Sequence, residues 1–222
     1  MQRNVAAFFD LDGAIIKSHI ERNFSFYLLV KKKLSIKRFL SILINDTKLY
    51  LNKTDNKEIY KSIVINLTKS IDESDFKKEF NDFYNKRLKK KIYPEVFRLI
   101  RKFKNSGVKI YIVSSAIEAI VSEFSNELNA DGFVSTKIKI EDNKYTGKII
   151  DKIYFGEDRA KRIRKLAKKE NINLYDSYAF GDYSYDSYML EIVGKPIVVN
   201  PDKELKDIAI KRNWKIENWL LG

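Results

Sequence analysis

Five consecutive apolar residues, Val5-Ala6-Ala7-Phe8-Phe9, run directly into Asp10-Leu11-Asp12-Gly13. An unbroken apolar run of this length reads as a short strand buried on both faces, the environment of a parallel sheet. Acids end such a strand because a carboxylate is costly to bury unpaired. In an open α/β sheet the carboxyl ends of the strands are also where ligands bind. The first strand therefore delivers Asp10 and Asp12 to the edge expected to be active. An EF-hand loop shares the Asp-x-Asp spacing but needs a Gly near its sixth position and a helix leading in. Here Glu21 stands twelfth from Asp10, but Ile15 stands sixth and a strand leads in.

From Ser18 to about Lys91 the apolar period is helical. Ser35 is placed to cap a helix through Leu51, with Ile36, Phe39, Leu40, Leu43 and Ile44 on one face. Asn56 is placed to cap the next, with Ile59, Ile63 and Leu67 in register. Asp72 or Ser74 opens a third, whose stripe of Phe76, Phe80, Phe83 and Tyr84 is expected in the core. The runs Lys31-Lys32-Lys33 and Lys89-Lys90-Lys91 read as solvated helix ends, where cations suit the macrodipole.

After Tyr93-Pro94 the pattern alternates. Pro94 opens a helix carrying Val96, Phe97, Leu99, Ile100 and Phe103, which ends at Asn105-Ser106-Gly107. Val108–Val113 is a strand with Ser114-Ser115 at its carboxyl end, and Ala116–Leu128 is a helix. Residues 133–150 read as strands with a turn at Asp142-Asn143-Lys144. A strongly basic helix runs from about Glu157 to Glu170. A strand over Ser177–Phe180 closes on Gly181-Asp182, Met189–Val193 is helical, Pro196–Val199 is a strand and Leu205–Arg212 a helix. Strands alternating with helices predict a doubly wound parallel sheet of the α/β, Rossmann-like class.

Cysteine is absent and His19 is the sole histidine. Thiolate zinc sites and cysteine nucleophiles are excluded, and multi-histidine metal sites and Ser-His-Asp triads are disfavoured. Chemistry must rest on carboxylates, hydroxyls, lysine and arginine. The net charge of +13 suits an anionic substrate, nucleic acid or an anionic membrane. The chain is also rich in Lys, Asn and Ile throughout, so the charge is discounted as a partner signal, and neither nucleic acid nor membrane is favoured. No secretory leader or membrane-length apolar run is visible, and a cytoplasmic protein is expected. Nothing in the sequence speaks to oligomeric state.

Four groups in one order make the pattern specific: Asp10-Leu11-Asp12-Gly13, Ser114 after an apolar strand, Arg159 opening the basic helix, and Gly181-Asp182-Tyr183-Ser184-Tyr185-Asp186. Together they resemble the haloacid dehalogenase superfamily of phosphatases and phosphotransferases, over roughly residues 4–16 and 92–216. The helical stretch between the first two groups is similar, in position and type, to the inserted cap of the phosphoserine phosphatase-like branch. The resemblance implies an α/β core over 1–16 and 92–222 with a helical cap over 17–91. It implies a Mg²⁺-dependent phosphatase for a small phosphorylated substrate. Asp10 would be the nucleophile and Asp12 the general acid and base. Asp10, the Asp12 carbonyl, Asp182 and Asp186 would serve the metal. Ser114, Ser115, Gly13 and Arg159 or Lys161 would serve the phosphate. The alternatives are phosphoserine phosphatase proper, a lipid or nucleotide phosphatase, or a catalytically weakened member that binds nucleic acid or membrane. Departures from the family pattern are Ala14 for the common Thr, Ser115 for the common Gly or Ala, Arg159 for Lys, and Tyr185 for Asn. A further departure bears on substrate: His19 stands near the point where a cap glutamate of phosphoserine phosphatases reads the substrate amine, the nearest acid here is Glu21, and the arginine motif that reads the serine carboxylate is not found in this stretch.

Overall fold

The computed structural model describes residues 4–51 and 57–221, without the side chains of residues 50 and 51; the proposed cap residue Asn56 lies outside the described residues. Six parallel strands form one sheet: β1 (Ala6–Phe9), β2 (Lys109–Ile117), β3 (Gly132–Thr136), β6 (Tyr178–Gly181), β7 (Lys195–Val199) and β8 (Lys215–Glu217), in the order β3-β2-β1-β6-β7-β8. β8 was not expected from sequence. The order reverses direction at β1, which pairs with β2 on one side and β6 on the other.

All four residues of β1 are fully buried, as the apolar run predicts. Side chains alternate across a strand. Ala7, Phe9, Ile110, Ile112 and Phe180 accordingly enter one apolar cluster, under α5 (Pro94–Asn105) and α6 (Glu118–Glu127). Ala6, Phe8, Tyr111, Val113 and Ala179 enter another, under α7 (Gly156–Lys169), α8 (Ser187–Leu190) and α9 (Lys203–Lys211). Helices thus cover both faces of the sheet.

The segment after β1 forms α1 (Ile20–Val30), α2 (Ile36–Leu51), α3 (Lys57–Thr68) and α4 (Glu73–Phe83). Asp72 caps α4, its carboxylate accepting from the Ser74 and Asp75 amides. Phe76, Phe80 and Phe83 are buried around Phe24 of α1, as the stripe predicts. The apolar residues of α2 divide between interior and surface. Ile42 is buried, but Ile36, Leu40 and Ile44 face solvent, because no layer covers the outer side of that helix.

The two chain crossings between cap and core run side by side. Ile16 bridges Ile92, the Lys17 amide donates to the Lys91 carbonyl (3.2 Å), and the Tyr93 amide donates to the Ile15 carbonyl (3.1 Å). The segment assigned by sequence to the core also holds a unit that packs on the helical segment. β4 (Ile138–Glu141) and β5 (Lys144–Ile149) form a hairpin apart from the sheet. Asp142 and Asn143 turn it with φ of 48° and 63°, the left-handed pair that a tight hairpin requires. It docks on the cap backbone. The Ser70 amide donates to the Tyr145 carbonyl (2.8 Å), the Tyr145 amide to Ile71 (2.9 Å), and the Glu73 amide to Asn143 (2.9 Å).

Candidate active site

The carboxyl ends of β1, β2 and β6 meet where the strand order reverses, the position at which open α/β sheets bind ligands. Asp10 leaves β1 there, its amide donating to the Phe180 carbonyl across the strand gap (2.9 Å). Asp182 follows β6. Asp186 closes back over it, accepting the Asp182 and Tyr183 amides on Oδ2 at 3.1 and 3.2 Å. Asp10, Asp182 and Asp186 each offer an oxygen within 4.8 Å of the others.

Gly13 is required by that convergence. Its φ is +89°, and a Cβ there would lie 1.9 Å from Asp182 Oδ2. Its amide donates to the Ile16 carbonyl (2.7 Å). Expected among the substrate-binding residues, Gly13 has its N–H spent inside the turn, and what it supplies is space.

Arg159, on the first turns of α7, is buried. Its Nη1 lies 2.8 Å from Asp10 Oδ1 and also contacts Asp186 Oδ1, while Nε donates to the Tyr154 carbonyl (3.3 Å). The planar fork of a guanidinium can serve these partners together. Lys161, the alternative cation, is not brought to the site. It is exposed and paired with Glu157 one helical turn back (3.0 Å).

Ser114 lies in β2 rather than after it. The strand continues to Ile117 through an irregular stretch, with Ile117 opposite Thr136, and the Thr136 hydroxyl donates to the Ser115 carbonyl (2.6 Å). Pairing with β3 thus claims residues that the sequence reading gave to a helix. Ser114 is buried, and its Oγ accepts the Ala116 amide (3.0 Å).

Asp12 is oriented differently from Asp10. Its Oδ1 accepts the Ile20 amide at the start of α1 (3.1 Å), and its carboxylate is outside the three-acid group. A cavity of about 700 Å³ opens over all these residues. The cap contributes His19, Glu21, Arg22, Asp46, Leu49 and Tyr60 to its wall. The Tyr60 hydroxyl donates to Glu21 Oε1 (2.6 Å) and is flanked by Ser115. Arg22 pairs with Asp46 (3.2 Å), and His19 Nδ1 lies 3.7 Å from the same carboxylate. Tyr60 and Asp46 were not singled out from sequence. Tyr60 sits in register with Ile63 and Leu67 and reads there as core.

Burial raises the acid pKa values. Asp10, Asp12 and Asp182 are held well above the ordinary carboxylate range, first by burial and then by neighbouring acids; at Asp10 Arg159 opposes the rise. Asp186 is raised by burial, with Arg159 opposing. Asp182 Oδ1 is buried with no hydrogen-bond partner among the described residues. An orphaned oxygen beside two more carboxylates is a donor set of hard oxygens, and it fits Mg²⁺. Of the three, Asp182 has the freest carboxylate, since Asp186 already accepts from two amides and Arg159, and Asp10 pairs with Arg159.

The profile of the haloacid dehalogenase-like hydrolase family matches residues 7–191. A probable phosphatase of Mycobacterium tuberculosis is 30% identical over 213 residues, which cover 95% of this chain and 74% of that protein. A solved protein of unknown function from Bordetella pertussis superposes with a TM-score of 0.85 at 17% identity, covering 97% of this chain and 98% of the other. A phospho-aspartyl intermediate analogue of phosphoserine phosphatase superposes with a TM-score of 0.71 at 19% identity, covering 97% and 93%.

Proposed function

The chain belongs to the haloacid dehalogenase-like hydrolases, and from that membership we propose that it is a Mg²⁺-dependent phosphatase that hydrolyses a small phosphomonoester through an aspartyl-phosphate on Asp10. The observation that carries the reading is the convergence of Asp10, Asp182 and Asp186 within 4.8 Å beside one buried guanidinium, with an oxygen of Asp182 left unpartnered.

When bound, Mg²⁺ offsets the negative charge of nucleophile and phosphate so that one anion can approach the other. Asp10, Asp182 and the Asp12 carbonyl would hold it, with Asp186 behind them. Asp10 attacks phosphorus, and the bond to the leaving oxygen breaks as the bond to the carboxylate forms. Arg159 keeps Asp10 in place and spreads positive charge over the site. The Ser114 hydroxyl accepts from the Ala116 amide, which leaves its hydrogen for a phosphoryl oxygen. Asp12 gives a proton to the leaving oxygen, then takes one from the water that releases phosphate from Asp10. Its raised pKa suits a group that must carry a proton near neutrality. Closure of the cap over the cavity would exclude bulk water during the transfer.

One observation favours phosphoserine among the substrates. Glu21 places a carboxylate in the cavity wall, where it can meet an ammonium group. The test is a panel with Mg²⁺: p-nitrophenyl phosphate, phosphoserine, glycerol phosphates and nucleoside monophosphates. In kcat/KM, which reads the transfer to Asp10 and not the later hydrolysis, Asp12→Asn should slow alkyl esters far more than p-nitrophenyl phosphate, whose leaving group needs little protonation. Equal loss of kcat/KM for both overturns the role given to Asp12. No hydrolysis of any ester overturns the phosphatase reading.

A further inference from the structure

The outer surface of the cap is apolar where a solvated helix pair is normally polar. On α1, Phe26 and Val30 are 55% and 67% exposed; on α2, Ile36, Leu40 and Ile44 are 65%, 48% and 54% exposed. A spacing of four puts each set on one face of its helix. Phe26 meets Phe39 across the pair, with ring centroids 5.8 Å apart, so the two faces adjoin. Scattered exposed apolar side chains are ordinary, but five on two packed helices form a patch that calls for an occupant.

Within the two helices and their connection, cations outnumber acids. Residues 20–51 hold seven Lys or Arg and two acids. Both acids, Glu21 and Asp46, line the cavity. Lys31 and Lys33 pair with Glu79 and Asp82 of α4. Lys32, Lys37 and Lys48 are exposed alongside the apolar residues. A second copy of the chain is a poor occupant, because a two-fold pairing would set the same lysines against one another.

We propose that this face docks the protein on an anionic lipid bilayer. The apolar side chains enter the boundary between headgroups and acyl chains, and the lysines reach the lipid phosphates. Net charge alone did not favour a membrane. The combination of an uncovered apolar face with two helices whose own acids, Glu21 and Asp46, turn into the cavity is what the folded segment adds. α2 also supplies Asp46 and Leu49 to the cavity, so the helix that meets the bilayer forms part of the cavity wall.

The test is co-sedimentation of the full chain with vesicles of phosphatidylcholine alone and of phosphatidylcholine with phosphatidylglycerol. Binding is expected to the anionic vesicles and to weaken with salt. Ile36→Gln/Leu40→Gln should reduce it at least about tenfold, and Lys32→Gln/Lys37→Gln about fivefold per lysine. Circular dichroism melts should match wild type in both variants, since all four side chains are exposed. Absence of wild-type binding to anionic vesicles overturns the proposal, as does unchanged binding by Ile36→Gln/Leu40→Gln. A wild-type dimer that Ile36→Gln/Leu40→Gln dissociates, with no vesicle binding, assigns the face to self-association instead.

Discussion

The core and the cap build their halves of the cavity in opposite ways. At the core edge three polar side chains are held against main chain: Asp186 by two amides, Ser114 by the Ala116 amide, Arg159 by the Tyr154 carbonyl as well as two acids. In the cap wall, side chains hold side chains: Tyr60 on Glu21, Arg22 and His19 on Asp46. Backbone anchors move only if the strands move, whereas a side-chain pair is lost or rebuilt by one substitution. Under the proposed function, the backbone-anchored half would carry the chemistry and the half held by side-chain pairs would choose the substrate.

The largest expected effect lies in the core. Asp10→Asn should lower turnover at least about 10³-fold, the order seen when a nucleophile leaves a catalytic set, and abolish acid-stable labelling of the protein by phosphate. The same variant should be more stable than wild type near neutral pH without metal. The sign follows from linkage. A carboxyl whose folded pKa lies well above its unfolded value loses stability as pH rises past about 4, the unfolded pKa. Asparagine carries no such charge. Thermal melts of both proteins across pH 4–8 measure this, and a wild type that gains on the variant with rising pH contradicts it.

An intermediate effect is expected where the core depends on space. Gly13→Ala drives a methyl into the Asp182 carboxylate and should weaken Mg²⁺ about 10–100-fold, the range for disturbing the support of a metal ligand. Calorimetric titration of metal without substrate reads this apart from turnover. Undiminished affinity would mean that Asp182 is not the ligand.

The smallest effect belongs to the cap. Tyr60→Phe frees Glu21 and removes the neighbour of Ser115 while keeping the ring. It should change kcat/KM by about 3–10-fold, as loss of one ordinary hydrogen bond does, and differently for each ester in the panel. A uniform fall for all substrates, p-nitrophenyl phosphate included, would place Tyr60 with the chemistry and dissolve the contrast between the halves.

The same contrast governs how much was legible in the sequence. Asp10, Ser114 and Asp182 stood out because each follows an apolar strand, and strand ends in such a sheet converge. Arg159 and Lys161 could not be separated by pattern. Residues two apart on a helix point about 200° apart, but which one faces the acids depends on how α7 lies on the sheet. Tyr60 was hidden for a similar reason, since its hydroxyl meets partners from α1 and β2 that local spacing does not reveal. The stripe on α2 was legible as an apolar face. Whether another layer covers it is a property of the assembled helices, which local spacing does not reveal. The β4–β5 turn was placed correctly, but its docking on residues 70–73 is non-local and left no local signature.

That hairpin bears on how such a protein can be rearranged. The helical segment expected as a cap is not a free-standing cassette, for the β4–β5 hairpin, reached from a different strand, is hydrogen-bonded to it. Exchanging residues 17–91 alone for those of a relative would leave Tyr145 and Asn143 facing a foreign backbone, with three main-chain hydrogen bonds to re-form. The shortest exchangeable unit pairs that segment with the hairpin. Because Thr136, just before β4, grips the Ser115 carbonyl, the second splice falls within a few residues of the strand that carries Ser114. New specificities are therefore reached more readily by substitution within the cap than by replacing it whole.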